Sequence, residues 1–96
     1  MFIITLTYCK PLSEVDRHVD AHMEWIRQGY DRGIFLLSGP RVPRVGGFIL
    51  AHGIGRAELD ELLAQDPFHL AGVATYDVTE VRPSSADERL AWLVRR

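Results

Sequence analysis

Ile34 to His52 reads IFLLSGPRVPRVGGFILAH. Two short apolar runs, Ile34 to Leu37 and Phe48 to His52, flank a segment rich in Gly, Pro and Arg. Each run is too short for a helix, and Phe, Ile and Leu at this density suit strands. Ser38-Gly39-Pro40 reads as a turn that closes the first run. Arg41 to Arg44, with Pro43 inside it, reads as an exposed loop, and Gly46-Gly47 leads into the second run. The stretch therefore predicts a hairpin with a long loop, and it sits between two segments of helical character.

Upstream, Phe2 to Tyr8 (FIITLTY) is β-branched and aromatic, and Lys10-Pro11 ends it as a strand. Ser13-Glu14-Val15-Asp16 has the form of a helix start, a Ser cap with an acid three residues on. Val15, Val19, Met23, Ile26 and Tyr30 then keep one helical face, and Gly33 is placed to stop the helix. Downstream, Gly53 and Gly55 precede a helix over Arg56 to Ala64, with Leu59, Leu62 and Leu63 facing inward. Asp66-Pro67 stops that helix or caps a short turn through Leu70. Val73 to Val81 is a fourth strand, ended by Pro83. Ser84 or Ser85 is then placed to cap a last helix over Asp87 to Val94, with Arg95-Arg96 complementing its C-terminus.

The order βαββαβ is the split βαβ, ferredoxin-like arrangement: an α+β fold with helices on one face of a four-stranded antiparallel sheet. We divide the chain into a domain over residues 1–83 and a helical tail over residues 84–96. The face away from the helices would normally be polar. In the first strand, however, Ile4, Leu6 and Tyr8 oppose Ile3, Thr5 and Thr7, and in the second Ile34 and Leu36 oppose Phe35 and Leu37. Apolar residues on both faces predict a second layer, which a homodimer would supply sheet to sheet. The alternative is that the last helix folds over that face.

The 96 residues are 47% apolar and 25% charged, the composition of one globular domain. A net charge of −2, with a single lysine at Lys10, gives no general attraction to nucleic acid. No apolar run approaches the ~18 residues that would span a bilayer, and the opening stretch lacks the basic flank of a signal peptide. Cys9 is the only cysteine, so no internal disulfide forms, and a reducing, cytoplasmic setting fits. Its thiol reads as a small packed side chain.

His22 carries the most chemical information. Successive helical residues rotate by about 100°, which places His22 inside the stripe of Val15, Val19 and Ile26. A ring there needs a polar partner. It is either a core histidine bonded to a backbone carbonyl or an acid–base group. Asp66, just before Pro67, is either the cap of the short turn or the carboxylate that orients that ring. Ser38-Gly39 could offer a hydroxyl and backbone N–H groups to a ligand, yet no nucleophile elbow surrounds Ser38. His18 and His22 are four apart, but the remainder of a metal motif is missing, so no metal is expected. His52 and His69 read as surface or rim residues. Neither Gly46-Gly47 nor Gly53-x-Gly55 matches a phosphate loop, and no cofactor is expected.

The opening strand, the Ala21-His22 step, Leu37-Ser38-Gly39-Pro40, Gly46-Gly47, Asp66-Pro67-Phe68 and Ala71-Gly72-Val73 together resemble the YciI-like (YCII-related) family over Met1 to Pro83. That resemblance implies a ferredoxin-like fold paired into a dimeric α+β barrel, with a His–Asp pair, here His22 and Asp66, marking the active site. It also implies small-molecule lyase or isomerase chemistry, since a member of the family resembles an enzyme that removes HCl from a chlorinated hydroxyhydroquinone in aromatic degradation. On that reading Tyr8 and Phe68 form apolar walls, and Ser38 and Gly39 hold an oxyanion. The alternative is a homodimer that binds a small metabolite, or serves as an accessory subunit, without catalysis.

Overall fold

The computed structural model describes residues 1–94. Four strands form one antiparallel sheet in the order β2-β3-β1-β4, with β1 Phe2–Tyr8, β2 Phe35–Pro40, β3 Gly46–Ala51 and β4 Ala74–Glu80. The helices are α1 Leu12–Asp16, α2 Val19–Asp31, α3 Arg56–Ala64 and α4 Pro67–Leu70. The α+β, ferredoxin-like expectation holds. Phe2, Ile4 and Leu6 of β1 face the helices and pair laterally with Ala51, Ile49 and Gly47 of β3. With Val15, Trp25, Ile26, Leu59, Leu63 and Phe68 they form the core.

The first helix differs from its expected form. Pro11, not Ser13, is its N-cap, and Ser13 makes no capping bond. The proline ring presets φ at −57° with an extended ψ, and the Pro11 carbonyl accepts from the N–H groups of Glu14 and Val15 at 2.9 and 3.1 Å. The helix so begins two residues early, at Leu12 instead of Glu14. It also breaks after Asp16, where Arg17 and His18 donate to the carbonyls three residues back and His18 adopts φ −115°, ψ 3°. Within α2 the buried residues are Trp25, Ile26 and Gly29, on the same side as His22, whereas Met23 and Tyr30 lie about a quarter turn away and are exposed.

Ser38-Gly39-Pro40 is not a turn. All three residues lie in β2, paired with Ile49, Phe48 and Gly47. The β2–β3 register shifts between Phe35 and Leu37, which leaves Leu36 as an extra residue. Such a bulge inverts the alternation beyond it. Phe35 points into the core, Leu37 is 56% exposed on the opposite face, and Ser38 lies beside buried Ile49 on the helix side. Without the bulge Leu37 would face inward and Ser38 outward.

The last helix is a 3₁₀ segment, Glu88–Leu93, capped by Asp87, whose carboxylate accepts from the Arg89 N–H. Ser84 and Ser85 precede that cap. None of the segment's residues is buried, and its one aromatic contact sets Trp92 edge-on to His52 at 5.5 Å. Arg95 and Arg96 lie outside the described residues.

Gly46 is required by the close approach of β1 and β3. A Cβ there would stand 1.8 Å from the Leu6 carbonyl oxygen and 3.0 Å from Thr7 Cα, both backbone atoms that cannot rotate away. Gly46→Ala is expected to cost about 3 kcal/mol or more, read as a lowered urea midpoint; a midpoint equal to wild type would show that the strands separate freely.

Candidate functional site

Asp66 is the only buried charged residue among those described. Pro67 begins α4, and Asp66 is its N-cap with an extended φ, ψ of −61° and 126°. Its Oδ1 accepts from the Phe68 N–H at 3.0 Å. The same oxygen lies 2.7 Å from His22 Nδ1, and Oδ2 accepts from the Tyr76 hydroxyl at 2.5 Å. The two readings of Asp66 are thus both realised: it caps α4 and meets His22. A carboxyl whose oxygens already accept from an amide and a phenol serves as acceptor to the imidazole, which places a proton on Nδ1.

His22 lies flat against Phe68, with ring centroids 3.9 Å apart and planes within 6°. Trp25 borders it at 5.8 Å. The imidazole is 13% exposed, and Nε2 makes no hydrogen bond among the described residues. The ring is fixed by a carboxyl on one edge and a phenyl on one face, and its second nitrogen is left available.

His22 lines a cavity of about 200 Å³ between α2 and the β1–β2–β3 end of the sheet. Tyr8, Ser38, Gly39 and Phe68, the expected substrate-contacting residues, all line it as well. Tyr8 meets Phe68 edge to face at 5.9 Å, and Ser38 Oγ hydrogen-bonds the Tyr30 hydroxyl at 2.6 Å. Asp66 lies behind His22 rather than in the wall. His18 caps α2 without lining the cavity. Among the described residues no group of three or more His, Cys, Asp or Glu is placed to hold a metal, and no helix is long and apolar enough to cross a membrane.

Three residues of the site were not anticipated. Tyr76 was hidden inside a strand, although its inward position between Ala74 and Val78 was a signal, because a buried phenol needs an acceptor. Arg44 lies in an exposed loop, as expected, but its guanidinium also sits 5.8 Å from the Tyr8 ring and bonds Asp16 at 2.6 Å. Tyr30, which spacing puts in the apolar stripe, instead hydrogen-bonds Ser38 through its hydroxyl.

The YCII-related domain family matches residues 1–82, and the chain belongs to it. No curated protein matches it. Among solved structures, it is similar to 5-chloro-2-hydroxyhydroquinone dehydrochlorinase (TftG) from Burkholderia phenoliruptrix AC1100, in complex with 2,5-dihydroxybenzoquinone. The two share 18% identity at a TM-score of 0.67, over 84% of this chain and 93% of the other. At that identity the likeness establishes the shared fold.

Burial, and then the Asp66 carboxylate, hold the Tyr76 hydroxyl well above the ordinary tyrosine value of 10.0. Tyr76 so remains a donor across the working pH range. Below about pH 10 neither folded nor unfolded Tyr76 is ionised, and Tyr76→Phe is expected to cost about 1 kcal/mol for the lost bond. Above that value the unfolded phenol ionises while the folded one does not, so the wild type loses stability as pH rises. Urea unfolding at about pH 8 and about pH 11 should show the gap between the two proteins narrowing; a gap that widens would refute the assignment.

Proposed function

We propose that the protein is a cofactor-independent lyase or isomerase that moves a proton on a small planar substrate, with His22 as the acid–base group and Asp66 as its orienting partner. The carrying observation is the 2.7 Å contact between His22 Nδ1 and a buried Asp66, in a ring that lines the cavity and whose Nε2 has no hydrogen-bond partner among the described residues. Asp66 fixes the tautomer and stabilises the imidazolium that forms when Nε2 takes a proton. Ser38 and the Gly39 backbone are the groups we assign to the developing oxyanion, and Tyr8 and Phe68 to the faces of the substrate ring.

The dehydrochlorinase with the same fold supports a specific version, removal of HCl from a chlorinated hydroxyhydroquinone. One hydroxyl proton passes to His22 and on to the ring carbon that carries chlorine. Loss of a second hydroxyl proton then expels chloride and leaves a quinone. Two hydroxyl protons leave oxygen and one returns to carbon, so the balance is one proton and one chloride, with no external oxidant. Chloride release from 5-chloro-2-hydroxyhydroquinone tests it. His22→Ala is expected to lower kcat roughly a thousandfold and Asp66→Asn roughly a hundredfold. Unchanged release in both variants would end the proposal, and binding without turnover at any pH would favour a metabolite-binding protein.

The same reading takes the protein as a homodimer. Leu37 and Ile3 are exposed on the face away from the helices, next to Leu50, and a second copy would cover them. Sedimentation should give a dimer that Leu37→Lys weakens at least tenfold in Kd, about 1.4 kcal/mol. A wild-type monomer at high concentration would overturn the assembly.

A further inference from the structure

The cavity has a cation at its mouth that the proton-transfer scheme does not use. The β2–β3 loop is clipped to the end of β1 by the Tyr8 N–H, which donates to the Val45 carbonyl at 2.8 Å, and is closed on itself by the Arg41 N–H, which donates to the Gly46 carbonyl at 3.0 Å. These bonds hold Arg44 over the Tyr8 ring, at 5.8 Å from its centroid. Tyr8 touches Phe68 edge to face, and Phe68 stacks on His22. Guanidinium, phenol, phenyl and imidazole thus form one continuous row along the wall, with Arg44 at one end and His22 at the other. Leu6, Val19, Ile26 and Ile49 supply apolar lining. Among the described residues no Asp or Glu lines the cavity. The partner of Arg44 is Asp16, an exposed carboxylate at the C-terminal end of α1, outside the wall.

We propose that Arg44 selects anionic substrates: planar rings that carry an ionised oxygen, bound with that oxygen on the guanidinium and the opposite edge toward His22. The proposal rests on the cavity being the substrate site, and it adds the charge of the ligand. A guanidinium suits an oxyanion through paired N–H donors. It also provides what His22 alone does not, a charge that persists while the imidazole cycles between its two protonation states. Asp16 is then a competitor. Its exposed ion pair with Arg44 contributes little by itself and exchanges for the ligand's oxygen when a substrate arrives.

Two quinones of the same ring size separate charge from shape. 2,5-Dihydroxybenzoquinone is an anion at neutral pH, and 2,5-dimethoxybenzoquinone is uncharged. Isothermal titration of the intact protein should show the anion bound at least tenfold more tightly, with the preference shrinking as salt is raised. Arg44→Gln should remove that preference and leave the affinity for the neutral ring within twofold, and Arg44→Lys should retain part of it. Asp16→Asn should tighten the anion, because the competing carboxylate is gone. An Arg44→Gln variant that keeps the preference, or an Asp16→Asn variant that weakens the anion, would overturn the assignment. Equal binding of both rings by the wild type would overturn it as well and leave the cavity as the site. Binding of neither ring would remove the cavity reading and this one together. Circular dichroism of each variant separates misfolding from lost recognition, and since Arg44 and Asp16 are exposed side chains, native spectra are expected.

Discussion

A carboxyl group at zero exposure is the constraint on which the rest of the structure depends. Taking such a group out of water costs several kcal/mol unless donors replace the lost hydration. Asp66 receives three, and they come from three elements: the imidazole of α2, an amide in the first turn of α4, and the phenol of β4. Each alone returns about 1–3 kcal/mol, so together they offset the burial and singly they do not. Asp66 therefore requires α2, α4 and β4 to dock in one arrangement. The bonds that stabilise the carboxyl are the same ones that orient the His22 ring, and the fold and the candidate site share a single set of interactions.

The opposite wall depends on backbone geometry. A bulge at Leu36 carries Ser38 to the helix side and Leu37 to the other, and Gly46 lets β3 run against the Leu6 carbonyl closely enough to close that end of the sheet. The second device needs the missing Cβ of Gly46, whereas the bulge calls for no particular residue at Ser38. Ser38 is in the cavity because of what happens two residues earlier. Its hydroxyl is then fixed by Tyr30, which reaches it from an exposed position on α2.

The legible part of this molecule was the part set by local periodicity. The element order, the αL stop at Gly33 (φ 72°), the inward leucines of α3 and the position of His22 on the core side of its helix all follow from residue spacing. Where reading failed, a non-local or phase-shifting event had intervened, or some inward residues carried no apolar signal. In α2 the inward face runs through His22, Trp25, Ile26 and Gly29, and a histidine and a glycine carry no apolar signal, so the line through Met23 and Tyr30 reads as the stripe although both are exposed. The bulge reversed Leu37 and Ser38. Tyr76 was missed because the acceptor it needs lies ten residues back in sequence. Asp66 presented two explanations that spacing cannot separate, and in the structure they coexist, because a carboxyl has two oxygens and one of them accepts twice.

That sharing has a mechanical consequence for His22. A histidine bound only through Nδ1 can still rock about its hydrogen bond, and a histidine only stacked on a phenyl can slide. Phe68 supplies both restraints from adjacent atoms, since its N–H holds the oxygen that holds Nδ1, and its ring carries the imidazole face. Asp66-Pro67-Phe68 is therefore one unit: the carboxyl orients, the proline starts the turn at a fixed φ, and the phenyl sets the plane. Replacement of Phe68 by a non-planar side chain, leucine for example, keeps the cap and the carboxyl and frees the ring to tilt. The position of Nε2 thus depends on an aromatic residue that titrates nothing and moves no proton itself, although its ring also lines the cavity. The sequence marks it only by its place after proline.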